Sequence, residues 1–85
     1  MKDDLPLVHA LIDAFLLLES AGPDEVNADT AVRGMENMAS SLLALEHSDQ
    51  LALRATFEHI AANAREEGYR HFVRALPDMI GLAEP

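Results

Sequence analysis

The side chains best suited to bind a cation form one spaced set of oxygen ligands in the first half of the chain. Glu25, Asn27, Asp29 and Glu36 stand at positions 1, 3, 5 and 12 of an EF-hand calcium loop counted from Glu25. Position 6 of such a loop needs glycine, whereas this chain has Thr30, whose β-branched side chain disfavours a positive φ. A polar connection that caps a helix is therefore preferred to a metal site for this segment.

Histidine and serine offer little further chemistry. His9 and Asp13, like Glu67 and His71, are four residues apart, a spacing that favours ion pairs on a helix surface. The sequence contains no cysteine, no His-Glu-x-x-His, no Gly-x-Ser-x-Gly and no nucleotide-binding glycine pattern. We therefore predict a non-enzymatic protein with no catalytic residue and no cofactor.

Charge and length narrow the function classes. The chain has 85 residues and a formal charge of −9, which argues against binding to nucleic acids and to anionic membranes. The apolar run from Leu5 to Leu18 is too short to span a bilayer. A signal peptide begins with a positive segment, whereas the side chains of residues 1–4 are net acidic. These features predict one domain, residues 1–85, located in the cytoplasm.

The acidic residues are concentrated in residues 1–52, which carry a net charge of −8, against −1 for residues 53–85. Asp24, Glu25 and Asp29 form an acidic patch between the first two predicted helices. Such a patch can steer a basic partner towards the protein. The alternative is that these charges only maintain solubility.

An all-α fold is expected because Ala and Leu dominate while β-branched residues are scarce. The first helix should begin near Asp3 or Asp4 and end at Gly22-Pro23, where glycine suits a left-handed residue. A second helix should follow an N-cap at Asn27 or Asp29. Its apolar stripe is spaced by 4, 3, 4 and 3 residues over Ala31, Met35, Met38, Leu42 and Leu45.

The pattern of residues in the second half of the chain predicts two more helices. Ser48 is the expected N-cap of the third. The stripe from Tyr69 to Ile80 points elsewhere than that of Leu53 to Ala64, so we expect a break at Gly68. Pro77 should end the fourth helix, leaving residues 79–82 as an irregular tail. The prediction is a small antiparallel bundle of about four helices.

The first helix carries more apolar side chains than one buried face requires. Leu16 and Leu17 flank His9 and Asp13 on the side of the helix opposite the apolar face of Val8, Ile12 and Phe15. We predict that Leu16, Leu17, His9 and Asp13 form a partner interface, used in a homodimer. The alternative is that this helix lies centrally in the core of the monomer.

Two segments resemble small uncharacterised acidic proteins of bacteria. The acidic loop runs into Asp29–Glu36, and the chain closes with Leu76–Leu82, which contains a Pro-x-x-x-Gly-Leu tail. The resemblance implies no activity. We predict a protein–protein interaction or regulatory module; the alternative is a metal- or small-ligand-binding protein that uses the Glu25–Glu36 loop or the bundle interior.

Overall fold

The computed structural model describes residues 5–85, which form four α-helices joined by short turns and no strand. The helices are α1 (Leu5–Ser20), α2 (Ala28–Leu43), α3 (His47–Asn63) and α4 (Glu67–Ile80). The all-α prediction of a small four-helix bundle is confirmed. The helix start expected at Asp3 or Asp4 lies outside the described residues.

The core is formed mainly by α3 and α4, which run antiparallel. Arg54 near the start of α3 pairs with Asp78 near the end of α4, and Glu58 pairs with Arg74. Between these ion pairs Phe57 and other apolar side chains are buried, and no buried side chain among residues 5–85 is polar or charged. Burial of apolar surface is therefore the main stabilising contribution.

The inner faces of α1 and α2 complete this core. Val8, Ile12 and Phe15 of α1 are buried. The predicted stripe of α2 is buried at Ala31 and half-buried as far as Leu42, whereas Leu45 lies beyond the helix and is exposed. At Gly34 an added Cβ would lie only 3.1 Å from Cδ1 of Leu18. The glycine thus permits a close approach of α1 and α2.

Two of the predicted helix boundaries agree with the structure. Asn27 caps α2, because its Oδ1 accepts the backbone N–H groups of Asp29 at 2.9 Å and Thr30 at 3.3 Å. Helix α1 ends at Ser20, just before Gly22-Pro23. Gly22 does not use the left-handed conformation expected of it, because Gly81 alone has a positive φ among residues 5–85.

The expected cap at Ser48 is wrong. Helix α3 already begins at His47, and the carbonyl of Glu46 accepts the N–H groups of Asp49 and Gln50. The side-chain amide of Gln50 donates to the carbonyls of Leu43 and Leu45 at 3.1 and 3.0 Å. These bonds place the N-cap at Glu46, two residues earlier than the cap preference of serine indicates.

The expected boundaries at Gly68 and Pro77 are also wrong. The chain breaks earlier, at residues 64–66, where the guanidinium of Arg70 donates to the carbonyl of Ala64. Gly68 instead lies in the first turn of α4. Pro77 lies inside α4, which continues to Ile80 and ends at Gly81 with φ 89°. The carbonyl of Pro77 accepts the N–H groups of both Gly81 and Leu82, the bonding of a helix C-terminus ended by a left-handed glycine.

The irregular tail therefore starts at Gly81 and is fixed by two side chains of α3. Arg54 donates to the carbonyls of Ala83 and Leu82, each at 2.9 Å, and Gln50 accepts the N–H of Ala83 at 2.9 Å. These bonds hold Leu82 in the core, where it is buried.

The two glycines predict opposite effects of the same substitution. Gly81→Ala should lower the free energy of unfolding by about 1 kcal/mol or more, because alanine is strained at a positive φ. Gly68→Ala should raise it by up to about 1 kcal/mol, because alanine is the better helix former and meets only ordinary contacts there. Urea titrations of both variants check this, and a loss of stability at Gly68 would contradict the observed helix boundary.

The tail contact predicts that two arginines differ in importance. Arg54→Ala should lower the free energy of unfolding by about 2 kcal/mol, because two part-buried carbonyls lose their donor. The matched control is Arg74→Ala, whose exposed ion pair with Glu58 should contribute less than about 1 kcal/mol. Equal effects in urea denaturation would show that the tail does not depend on Arg54.

Candidate interaction surface

The outward side of α1 is apolar. Leu7 and Leu17 are 71% and 61% exposed, and they are the two most exposed large hydrophobic side chains among residues 5–85. Ala10 and Ala14 lie between them on the same side, since a helix advances 100° per residue. We call these four residues the outer stripe.

The outer stripe exists because α1 presents two apolar faces while the fold covers one. Val8, Ile12 and Phe15 face the core. Leu11 and Leu18 are half-buried beside α2, where Leu18 contacts Gly34. A helix that is apolar on nearly all sides is usually buried on all sides. Here the side turned away from the core stays exposed at Leu7, Ala10 and Leu17 and is half-buried at Ala14.

The structure divides the predicted interface of Leu16, Leu17, His9 and Asp13. Leu17 points outward, but Leu16 is half-buried and belongs to the side that faces the rest of the bundle. His9 lines a cavity against α3 and α4, and the charge of Asp13 acts on Tyr69 of α4. Leu17 therefore shares its exposed side of α1 with Leu7 and, one turn earlier, with the exposed Asp13, whereas Leu16 turns towards the bundle.

The spacing of apolar residues in the sequence also indicates the outer stripe. Residues 7, 10, 14 and 17 are spaced by 3, 4 and 3, which is the spacing of a helix-packing seam. The stripe of the core-facing side has the same spacing pattern. Sequence alone shows two candidate faces on α1, and only the packing of α3 and α4 shows which of them is buried.

A cavity of about 430 Å³ lies where the start of α1 meets the end of α3 and the start of α4. Its apolar wall includes Leu5 and Ile60, and its polar wall includes His9, His59, Arg65 and Tyr69. The volume is within the range of small-molecule sites. These residues share no local spacing in the sequence, because helices distant along the chain bring them together.

The environment of Tyr69 on the wall of this cavity alters the acidity of its hydroxyl. Burial raises the pKa of the Tyr69 hydroxyl above its ordinary value of 10.0, and the nearby charge of Asp13 raises the pKa further. Both effects disfavour the tyrosinate anion. The cavity therefore holds a neutral hydroxyl that can donate or accept a hydrogen bond.

The acidic patch of Asp24, Glu25 and Asp29 is exposed between α1 and α2. The side chain of Glu25 accepts the N–H of Gly22 at 3.3 Å, and Asp29 lies in the first turn of α2, where a negative charge suits the helix dipole. All three side chains thus remain on the surface.

The candidate metal ligands Glu25, Asn27, Asp29 and Glu36 do not form an EF-hand loop. Asn27 uses its side-chain oxygen to cap α2, and Glu36 lies about two helical turns beyond that cap. Within residues 5–85, no group of three or more histidine or acidic side chains has the arrangement needed to hold a metal ion. The arrangement instead fits the capping interpretation.

No helix described between residues 5 and 85 has both the length and the apolar character needed to cross a bilayer. The longest, α3, has 17 residues.

The environment of Tyr69 predicts a pH effect that can be measured directly, because the chain has a single tyrosine. Tyrosinate absorbance should titrate with a midpoint above 10.0, and Asp13→Asn should lower that midpoint. The neutral form is favoured by folding, so stability is complete below the unfolded pKa and is lost as the pH rises through the folded pKa. A midpoint unchanged by Asp13→Asn would contradict the proximity of Asp13 and Tyr69.

Comparison with known proteins gives no relative. No protein-family model matches the sequence, and neither a curated protein nor a solved structure is significantly similar to it. The resemblance to small bacterial proteins therefore stays a prediction.

Proposed function

We propose that this protein is a non-enzymatic cytoplasmic interaction module that binds an apolar helix of a protein partner through the outer stripe of α1. The single observation that carries the proposal is the exposure of Leu7 and Leu17, at 71% and 61%, on a face where a surface helix normally has polar side chains. Exposed apolar patches of this kind mark interaction sites.

Energy supports this use of the surface. Burial of a fully exposed leucine side chain contributes about 1.5–3 kcal/mol to the free energy of association. Leu7 and Leu17 are largely exposed, so each can contribute most of that amount when a partner covers it. The alanines between them add little side-chain bulk and leave room for a second helix. The acidic patch at the end of α1 adds electrostatic steering towards a partner with positive charge beside its apolar face.

A second candidate function is the binding of a small molecule in the cavity of His9, His59, Arg65 and Tyr69. Its volume of about 430 Å³ and its mixed apolar and polar walls favour this candidate over a metal site in the Glu25–Glu36 loop. A ligand that enters the cavity would displace water beside Tyr69 and shift its titration midpoint. The tyrosinate titration repeated with candidate ligands therefore tests this alternative.

The outer-stripe proposal predicts a separation of binding from stability. Leu7→Gln with Leu17→Gln should leave the urea denaturation midpoint nearly unchanged, because both side chains are exposed, and should abolish binding. Affinity capture from a cell extract, with mass determination of the purified protein alongside, tests wild type and variant for heterologous and self-association.

The matched control is Val32→Gln with Met79→Gln, which changes two half-exposed apolar side chains on α2 and α4. The control should keep every interaction of the wild type. Loss of binding in the control alone, or unfolding of the α1 variant, would place the binding surface elsewhere and overturn the proposal.

A further inference from the structure

We propose that the outer stripe is occupied by a second copy of this chain, packed with its α1 antiparallel to the first α1. This inference rests on the proposed function and specifies its partner. In this pairing, Leu7 contacts the partner subunit's Leu17, and Ala10 contacts the partner subunit's Ala14. A two-fold axis passes close to the level of Ile12.

The order of residues in the stripe is symmetric. Leu7 and Leu17 are each five residues from Ile12, and Ala10 and Ala14 are each two residues from it. Reversal of the chain direction therefore superimposes leucine on leucine and alanine on alanine. An interface between identical subunits about a two-fold axis needs one self-complementary surface, and this stripe has that property.

The spacing of the stripe suits helix packing. Steps of 3, 4 and 3 residues place all four side chains along the seam of a coiled coil. The small alanines at the centre permit a close approach of the two helices, and the leucines at the ends cover them. Apolar contact thus extends over about 15 Å of helix.

Charge selects the antiparallel direction over the parallel one. The acidic patch of Asp24, Glu25 and Asp29 follows the C-terminal end of α1. Parallel packing would bring the two acidic patches together at one end of the dimer. Antiparallel packing separates the two acidic patches to opposite ends of the dimer.

One like-charge contact remains near the two-fold axis. Asp13 borders the stripe one residue beyond Ile12, so antiparallel packing brings the two copies of Asp13 to the same side of the seam. Parallel packing would put them on opposite sides. Asp13→Asn should consequently tighten the antiparallel dimer by about twofold.

The dimer should be weak and sensitive to salt. A seam of about 15 Å covers less than the roughly 800 Å² per partner of a standard interface. Each chain also carries a charge of −9, so the subunits repel. Added salt screens that repulsion over about 10 Å at 0.1 M, and self-association should therefore strengthen as salt is raised.

Cysteine crosslinking tests the direction directly, because the natural chain contains no cysteine. Leu7→Cys and Leu17→Cys are prepared as separate proteins, oxidised alone and mixed, and analysed by non-reducing electrophoresis. Antiparallel packing should give a crosslinked dimer in the mixture, where positions 7 and 17 meet, and little in either protein alone. Equal positions lie about 15 Å apart along the axis, too far for a disulfide.

A second cysteine pair and a control complete the test. Ala10→Cys mixed with Ala14→Cys retains both leucines and should also crosslink. Val32→Cys mixed with Leu17→Cys should not, since Val32 lies outside the stripe. Sedimentation at rising protein and salt concentrations measures the equilibrium, and it should show the Asp13→Asn dimer as the tighter one.

The outcomes separate this inference from the proposed function. Crosslinking of each single variant with itself would indicate parallel packing and overturn the antiparallel arrangement, as would a weaker or unchanged Asp13→Asn dimer. A monomer under all conditions would overturn the second copy as partner. If the wild type is a monomer but captures a heterologous protein that the Leu7→Gln, Leu17→Gln variant does not bind, the proposed function is retained with a different partner.

Discussion

The apolar contact between α3 and α4 is the interaction on which the other elements depend. Phe57 and Leu76 are buried there, and α1 and α2 cover the remaining side with apolar residues of their own. An 85-residue chain buries only about 60–65% of its surface, so one continuous core has to serve all four helices. Loss of the α3–α4 contact would remove the surface against which Val8, Ile12 and Phe15 are buried.

That single core leaves a surplus on α1. A helix packed against one core covers one face, yet α1 also carries leucines on the opposite face. The sequence predicted the surplus and predicted Leu17 as part of it. The interface of Leu16, Leu17, His9 and Asp13 stays a prediction: Leu16 is half-buried, and the other three side chains are exposed. A helical wheel gives only relative angles, whereas the positions of the other helices determine which angle becomes interior. The cavity around His59 and Tyr69 was not predictable for the same reason.

The fold itself was largely predictable, because periodic apolar spacing encodes which residues face a core. The errors lie at helix ends whose position depends on hydrogen bonds from side chains several residues away. Gln50 satisfies two carbonyls before α3, and Arg70 satisfies the carbonyl of Ala64 at the break before α4. Local cap preferences at Ser48 and Gly68 carry no information about these contacts. Pro77 lies in the last turn of α4, and its carbonyl accepts the N–H groups of Gly81 and Leu82.

Charge explains why α1 is suited to contact a protein although the chain is strongly acidic. Of the four helices, α1 has the fewest charged residues, Asp13 and Glu19, and neither belongs to the outer stripe. Acidic side chains on the rest of the surface disfavour close approach of a second copy by any other route. If the outer stripe binds a partner as proposed, the surrounding acidic surface restricts where association can occur. Specificity would then come as much from repulsion over the rest of the surface as from the leucines themselves.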